Sequence, residues 1–200
     1  MHSAIFLDRD GVICQNRSDH VKSWAEFRFL PGALEAVARL SRLTQPIVVV
    51  TNQAVINRGM VVRATVEDIH ARMVRAIERA GGRVDRVMYC PHRPDEACDC
   101  RKPQPGLLHA AARDLGLDLS QSYLVGDAMT DMQAGRAAGC QCYLTLTGRG
   151  WKQLFRCLRD GERAFRVVSN LGAAADSIVR HSTSRYVLPH RAQALRRSEW

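Results

Sequence analysis

The sequence predicts an α/β protein: a doubly wound parallel sheet flanked by helices, with no separate cap domain. Three observations carry this prediction. Short β-branched runs alternate with segments of helical periodicity, the pattern of strand–helix–strand units. Asp8, Thr51, Cys90 and Asp127 each follow directly on a run that reads as a strand. That is the edge where open α/β sheets bind ligands. A chain of 200 residues, 46% hydrophobic and 24% charged, suits one hydrophobic core.

The first strand is predicted over Ala4–Leu7, ending at Asp8, and a helix follows over Gly32–Leu43. Ile47–Val50 is a β-branched run that reads as the second strand. Thr65 is expected to cap the next helix, with Asp68 three positions on in a near capping box. Val66, Ile69, Met73, Ile77 and Ala80 keep helical spacing there, and Gly81-Gly82 ends it. A third strand over Arg86–Tyr89 enters a loop rich in Cys, His and Pro. Pro105 opens a helix that Gly116 closes. A fourth strand, Tyr123–Val125, ends at Gly126-Asp127, and a helix over Asp131–Ala138 and a fifth strand over Cys140–Leu146 follow. A helix near 151–159, a strand at 165–168 and a helix at 170–180 complete the pattern. Residues 1–180 therefore read as one domain, and 181–200 as a basic C-terminal tail.

The chain carries 29 basic and 20 acidic residues, a net charge of +9, and 26 of the basic residues are Arg. The excess is local: residues 1–148 are nearly neutral at +2, whereas 149–200 carry +7. The body thus gives little support to a nucleic-acid surface, and the tail reads as a solvated extension. No apolar run approaches the ~18 residues that span a bilayer, and the N-terminus leaves no room for a secretory signal. A cytoplasmic monomer is expected, with no membrane partner. Seven cysteines in such a compartment point to metal ligands or buried thiols rather than disulfides.

Two clusters carry chemistry. Asp8 and Asp10 leave the first strand at alternate positions, so both carboxylates can face one pocket. Asp127 reaches the same edge, with Asp131 one helical turn beyond. Carboxylates gathered in this way demand a hard cation, and Mg²⁺ with its oxygen ligands is the expected one. In the second cluster, Cys90, His92, Cys98 and Cys100 give three thiols and an imidazole within eleven residues, a set suited to structural tetrahedral zinc. Cys140 and Cys142 sit on a predicted buried strand and read as core thiols. Met129, Met132 and Trp151 read as packing residues, and His109 as structural.

Phe6-Leu7-Asp8-Arg9-Asp10-Gly11-Val12-Ile13 resembles the first motif of the haloacid dehalogenase (HAD) superfamily of phosphohydrolases. Val49-Val50-Thr51-Asn52-Gln53 resembles the second, Arg101-Lys102-Pro103 the third, and Gly126-Asp127 with Asp131 the fourth. The resemblance implies a HAD-like Rossmannoid fold and Mg²⁺-dependent hydrolysis of a phosphomonoester through an aspartyl-phosphate. It makes Asp8 the nucleophile and Asp10 the general acid and base. Thr51 and Lys102 would hold the phosphoryl oxygens, and Mg²⁺ would bind Asp8, the Asp10 backbone carbonyl and Asp127.

The loop CPHRPDEACDCRKPQPG resembles the zinc-loop branch of that superfamily, where zinc is structural. That branch includes enzymes acting on a heptose 1,7-bisphosphate and on histidinol phosphate. Removal of the 7-phosphate of D-glycero-D-manno-heptose 1,7-bisphosphate is therefore the expected activity, with histidinol phosphate or another small phosphorylated metabolite as the alternative. The expected partner is accordingly a small phosphorylated metabolite. Arg101 is expected to bind substrate by the same resemblance, as are Asn52 and Gln53 beside Thr51. Arg17, Lys22, Arg58 and Arg93 are candidates for a second phosphate, because guanidinium matches phosphate oxygens with parallel donors. Ala54-Val55 and Ala128 depart from the common family residues. Two rival readings are a polynucleotide 3′-phosphatase and a non-catalytic, zinc-stabilised binding module. The first would need aromatic stacking platforms, for which Trp24 and Phe27 are the candidates.

Overall fold

The computed structural model describes residues 2–161 and 164–186. Six parallel strands form one sheet: β1 (Ile5–Leu7), β2 (Ile47–Asn52), β3 (Arg86–Cys90), β4 (Tyr123–Gly126), β5 (Gln141–Thr145) and β6 (Arg166–Val168). Their order across the sheet is β3-β2-β1-β4-β5-β6. The chain thus winds outward from β1 on one side and restarts at β4 on the other. The order reverses between β1 and β4, where the crevice of a doubly wound sheet lies. Helices α1 (Ala33–Leu40), α2 (Arg63–Arg79), α3 (Gly106–Leu115), α4 (Met129–Ala137), α5 (Gly150–Arg159) and α6 (Leu171–Tyr186) cover the two faces.

Alternation along the strands sorts the core into two layers, because successive side chains point to opposite faces. Ile5, Leu7, Ile47, Val49, Tyr123 and Val125 pack under α1, α2 and α6. Phe6, Val48, Val50, Leu124 and Leu144 pack under α3 and α4. Burial on both faces explains the unbroken apolar runs. The connections after β1 and β3 hold single 3₁₀ turns, Trp24–Glu26 and Pro94–Glu96, and no cap domain.

Several element ends differ from the sequence reading. The Thr65 N–H already bonds the Val62 carbonyl at 3.0 Å, so α2 begins at Arg63 and Thr65 lies inside its first turn. Asp68 accordingly takes Arg72 one turn later, at 3.1 Å, instead of closing a capping box. The helix α1 stops at Leu40, and α6 continues to Tyr186, past the point where the sequence pattern fades. The remainder of the basic tail, from 187, lies outside the described residues. Trp151, expected to pack, is 60% exposed and shares the outer side of α5 with Phe155 at 69%. Leu154 meets the core from α5. Met132, Cys140 and Cys142 are buried as expected, and burial raises both thiols to about 12. Among the described residues no helix is long and apolar enough to cross a membrane.

Candidate active site and metal centres

Strand register brings the chemistry together. Leu7 pairs with Val49 on one side and Val125 on the other, so Asp8, Thr51 and Asp127 emerge side by side. The Asp8 N–H bonds the Val125 carbonyl at 2.9 Å, which holds the first residue past β1 in line with β4. Lys102 arrives from the loop before α3. Its Nζ lies 2.8 Å from Asp8 Oδ1, 2.8 Å from the Val50 carbonyl and 2.5 Å from Asp131 Oδ1. Burial disfavours that ammonium, but Asp131 and Asp8 outweigh it and hold its pKa above the ordinary lysine range.

Asp8, Asp127 and Asp131 are buried, with carboxylate oxygens within 4.8 Å of one another. Burial is the main cause that raises Asp8 to about 7; Lys102 opposes it, and Asp131, Asp127 and Asp10 add to it. Burial and Asp131 raise Asp127 to about 6 against the opposing Arg149. Three buried acids beside one buried lysine leave negative charge uncompensated. This oxygen donor set fits a hard divalent cation. Glycine at 11 and 148, both at positive φ, makes room: a Cβ on either would collide with Asp127 Oδ2.

The Asp10 carboxylate lies in the cleft wall, outside this close group. It receives Arg9 Nε and Nη2 at 3.1 Å each and Gln53 Nε2 at 3.0 Å. Burial would raise its pKa, yet Arg9 and the hydrogen bonds of Gln53, Arg9 and Cys14 hold it below the usual carboxylate range. Gln53 Nε2 also donates to Thr51 Oγ1 at 2.8 Å. The hydroxyl therefore accepts from within the protein and keeps its own proton for an oxygen in the cleft. Asn52 and Gln53, expected at the substrate, line the cleft, and their amides are also bonded within the protein. Asn52 clamps the Lys102 backbone, donating to its carbonyl at 3.0 Å and accepting its N–H at 3.1 Å.

A cavity of about 460 Å³ opens over the site, with Asp10, Arg17, Arg58, Arg101, Lys102 and Arg149 in its wall. Arg17 pairs with Asp19 at 2.9 Å, and Arg58 lies 2.8 Å from His20 Nε2. Arg101 donates to the His92 carbonyl at 3.0 Å. Lys22 and Arg93 are not in this wall; they pair with Asp19 and Asp95. A larger cavity of about 680 Å³ lies at the opposite end of the strands. Among the described residues its lining has no carboxylate, lysine or arginine. Trp24 and Phe27 stack on each other at 5.0 Å, and neither lines the cleft.

Three features here were not read from the sequence. Arg149 donates its N–H to Asp127 Oδ2 at 2.7 Å and brings its guanidinium within 3.4 Å of Oδ1. Its place just past β5 was the available signal. Asp131 is the second carboxylate on Lys102. His70, on the buried side of α2, reads as core in any periodicity and reveals itself only by touching Arg9.

In the second cluster the sulfurs of Cys90, Cys98 and Cys100 lie 3.2–3.5 Å apart. His92 Nδ1 is 3.4 Å from Cys90 and 3.3 Å from Cys100. Tetrahedral zinc with bonds of about 2.3 Å separates its sulfurs by about 3.8 Å, so these four donors fit it with slight expansion. The last ligand, Cys100, is followed directly by Arg101 and Lys102.

A doubly wound sheet with carboxylates past β1 and β4 and a buried lysine between them is the arrangement of the HAD-like hydrolases, and the chain belongs to that family. The HAD-hydrolase-like family model matches residues 99–174. The chain is 41% identical over 177 residues to the D-glycero-beta-D-manno-heptose-1,7-bisphosphate 7-phosphatase of Pseudomonas aeruginosa, covering 88% of this chain and 98% of that one. It is 42% identical over 179 residues to the enzyme of the same name from Bordetella bronchiseptica, covering 89% and 98%. The crystal structure of the B. bronchiseptica D,D-heptose 1,7-bisphosphate phosphatase, complexed with magnesium and phosphate, superposes with a TM-score of 0.84 at 41% identity. It covers 90% of this chain and 99% of that one.

Proposed function

We propose that this protein removes the 7-phosphate of D-glycero-β-D-manno-heptose 1,7-bisphosphate by way of an aspartyl-phosphate on Asp8. The observation that carries this reading is the buried Asp8–Lys102–Asp131–Asp127 cluster, open to a cleft whose rim bears Arg17, Arg58, Arg101 and Arg149. One phosphate meets the cluster, and the rim offers guanidinium groups to a second. The names of the relatives supply the sugar.

Asp8 attacks phosphorus in line, and Asp10, which takes up a proton once the phosphate dianion is bound beside it, gives that proton to the departing sugar oxygen. Lys102 and the Thr51 hydroxyl hold the phosphoryl oxygens as charge develops. Magnesium, held by Asp8, the Asp10 carbonyl and Asp127, would supply the positive charge that lets a carboxylate meet a phosphate dianion. Asp10 then takes a proton from the water that hydrolyses the intermediate. Residues 1–180 serve as the one catalytic domain.

Phosphate release should be compared across both heptose bisphosphate anomers, histidinol phosphate and a 3′-phosphorylated oligonucleotide. The β-anomer should be preferred by at least about tenfold in kcat/KM, or about 1.4 kcal/mol of transition-state binding. Preference for the oligonucleotide would overturn the assignment.

The raised carboxylates also set a pH dependence. Magnesium competes with protons for Asp8, at about 7, and for Asp127, at about 6. At pH 8 both are ionised, and saturating Mg²⁺ should raise Tm by several degrees through mass action. At pH 5.5 a proton must leave first, so affinity should fall about tenfold or more. Thermal melts with and without Mg²⁺ at the two pH values test this. An equal Tm gain at both would contradict it.

A further inference from the structure

Arg9 stands between the two reacting carboxylates in sequence, is only 1% exposed and borders the cleft beside Asp10. Its guanidinium has three partners. Nε and Nη2 reach Asp10, Nη2 also donates to Gln53 Oε1 at 3.0 Å, and Nη1 lies 3.0 Å from His70 Nε2. A guanidinium only donates, so His70 Nε2 accepts and the imidazole carries its proton on Nδ1. Burial, and then the charge of Arg9, push His70 down to about 3. The partner on the far side of Arg9 is therefore neutral. It orients the guanidinium without cancelling its charge, as a carboxylate there would, and leaves that charge directed at Asp10. Gln53 closes the group by donating to the same carboxylate.

We infer that His70 and Arg9 are positioning residues for the second half of the reaction, holding Asp10 as an oriented carboxylate base through the hydrogen bonds His70–Arg9–Asp10. The inference rests on the proposed roles of Asp8 and Asp10. In that half-reaction the oxygen of water attacks phosphorus and the bond from phosphorus to the Asp8 oxygen breaks. One water proton passes to Asp10, and inorganic phosphate leaves with the Asp8 carboxylate restored. A base that swings out of line slows this step most, because the water has no other assigned base.

The half-reactions separate with p-nitrophenyl phosphate, whose leaving group departs without an acid. His70→Phe keeps a flat ring beside Tyr89, 5.4 Å away, and removes the acceptor. In stopped flow this variant should release a burst of about one nitrophenolate per active site at a rate within about threefold of wild type. Steady-state turnover should then fall about 10- to 100-fold. His70→Gln, whose amide oxygen can accept from Arg9, should recover turnover to within about fivefold. If His70→Phe does not fold, Arg9→Lys carries the same test, since an ammonium cannot span three partners. Equal loss of burst rate and steady-state rate, or no loss of either, overturns the positioning role. Full activity in the Asp8→Asn variant overturns instead the reading on which it rests.

Discussion

Replacing Asp8 with Asn should abolish phosphate release, by on the order of 10⁴-fold or more, while the protein stays folded. The amide has nearly the volume of the carboxylate, and its oxygen can still accept from Lys102. Lys102 also keeps Asp131 and the Val50 carbonyl. The lost function is nucleophilic: an amide cannot form the acyl phosphate. A second effect separates this from damage to the fold. Asp8 has a folded pKa raised to about 7, so its contribution to stability is fully present at low pH and lost as pH rises through that value. Without metal at pH 8, its ionised form destabilises the cluster, and Asp8→Asn should raise Tm. At pH 5 the gain should be clearly smaller, and it should vanish only below the ordinary aspartate value of 3.8. Phosphate assays with metal-free melts at both pH values provide the check, and turnover near wild type would remove Asp8 from the mechanism.

Freshly purified protein should contain about one zinc per chain, and loss of that metal should cost activity before it costs the fold. The four donors lie in the connection between β3 and α3 rather than in the sheet. Structural zinc in small sites binds with about 10–16 kcal/mol. That is ample to order a loop whose next residues are Arg101 and Lys102. Cys100→Ser should lower kcat about tenfold or more and reduce Tm, while the sheet keeps its two cores. Mild chelation that strips Mg²⁺ should leave zinc in place. Elemental analysis that finds no zinc would refute the site, and full activity in a zinc-free Cys100→Ser variant would refute the coupling.

Much of this was legible because the relevant signals are local. Strands buried on both faces must be apolar throughout, so the β-branched runs stood out, and Gly116 and Pro105 marked the helix ends that the structure shows. The Cys/His loop was legible because its four donors lie within eleven residues. Element ends were less so. Thr65 has the chemistry of a cap, but the turn before it delivers the chain into α2 at Arg63. Trp151 has the apolarity of a core residue, yet α5 turns Leu154 inward and leaves Trp151 outside.

The sequence by itself determined the class of fold, the carboxylates that gather at the sheet edge and the donor set of the Cys/His loop, because each is written in neighbouring residues. The tertiary structure decided which groups meet across long separations. Lys102 was known as a cation, but only the packed loop sets it between Asp8 and Asp131. Asn52 and Gln53 read as residues at the substrate; both line the cleft, and strand register also makes them supports for Lys102, Thr51 and Asp10. His70 and Arg149 had no legible role, since a hydrogen bond spanning 61 or 22 residues leaves no periodic trace. Contacts of that kind depend on the sum of strand order, register and helix rotation, and none of these is a property of any short stretch of chain.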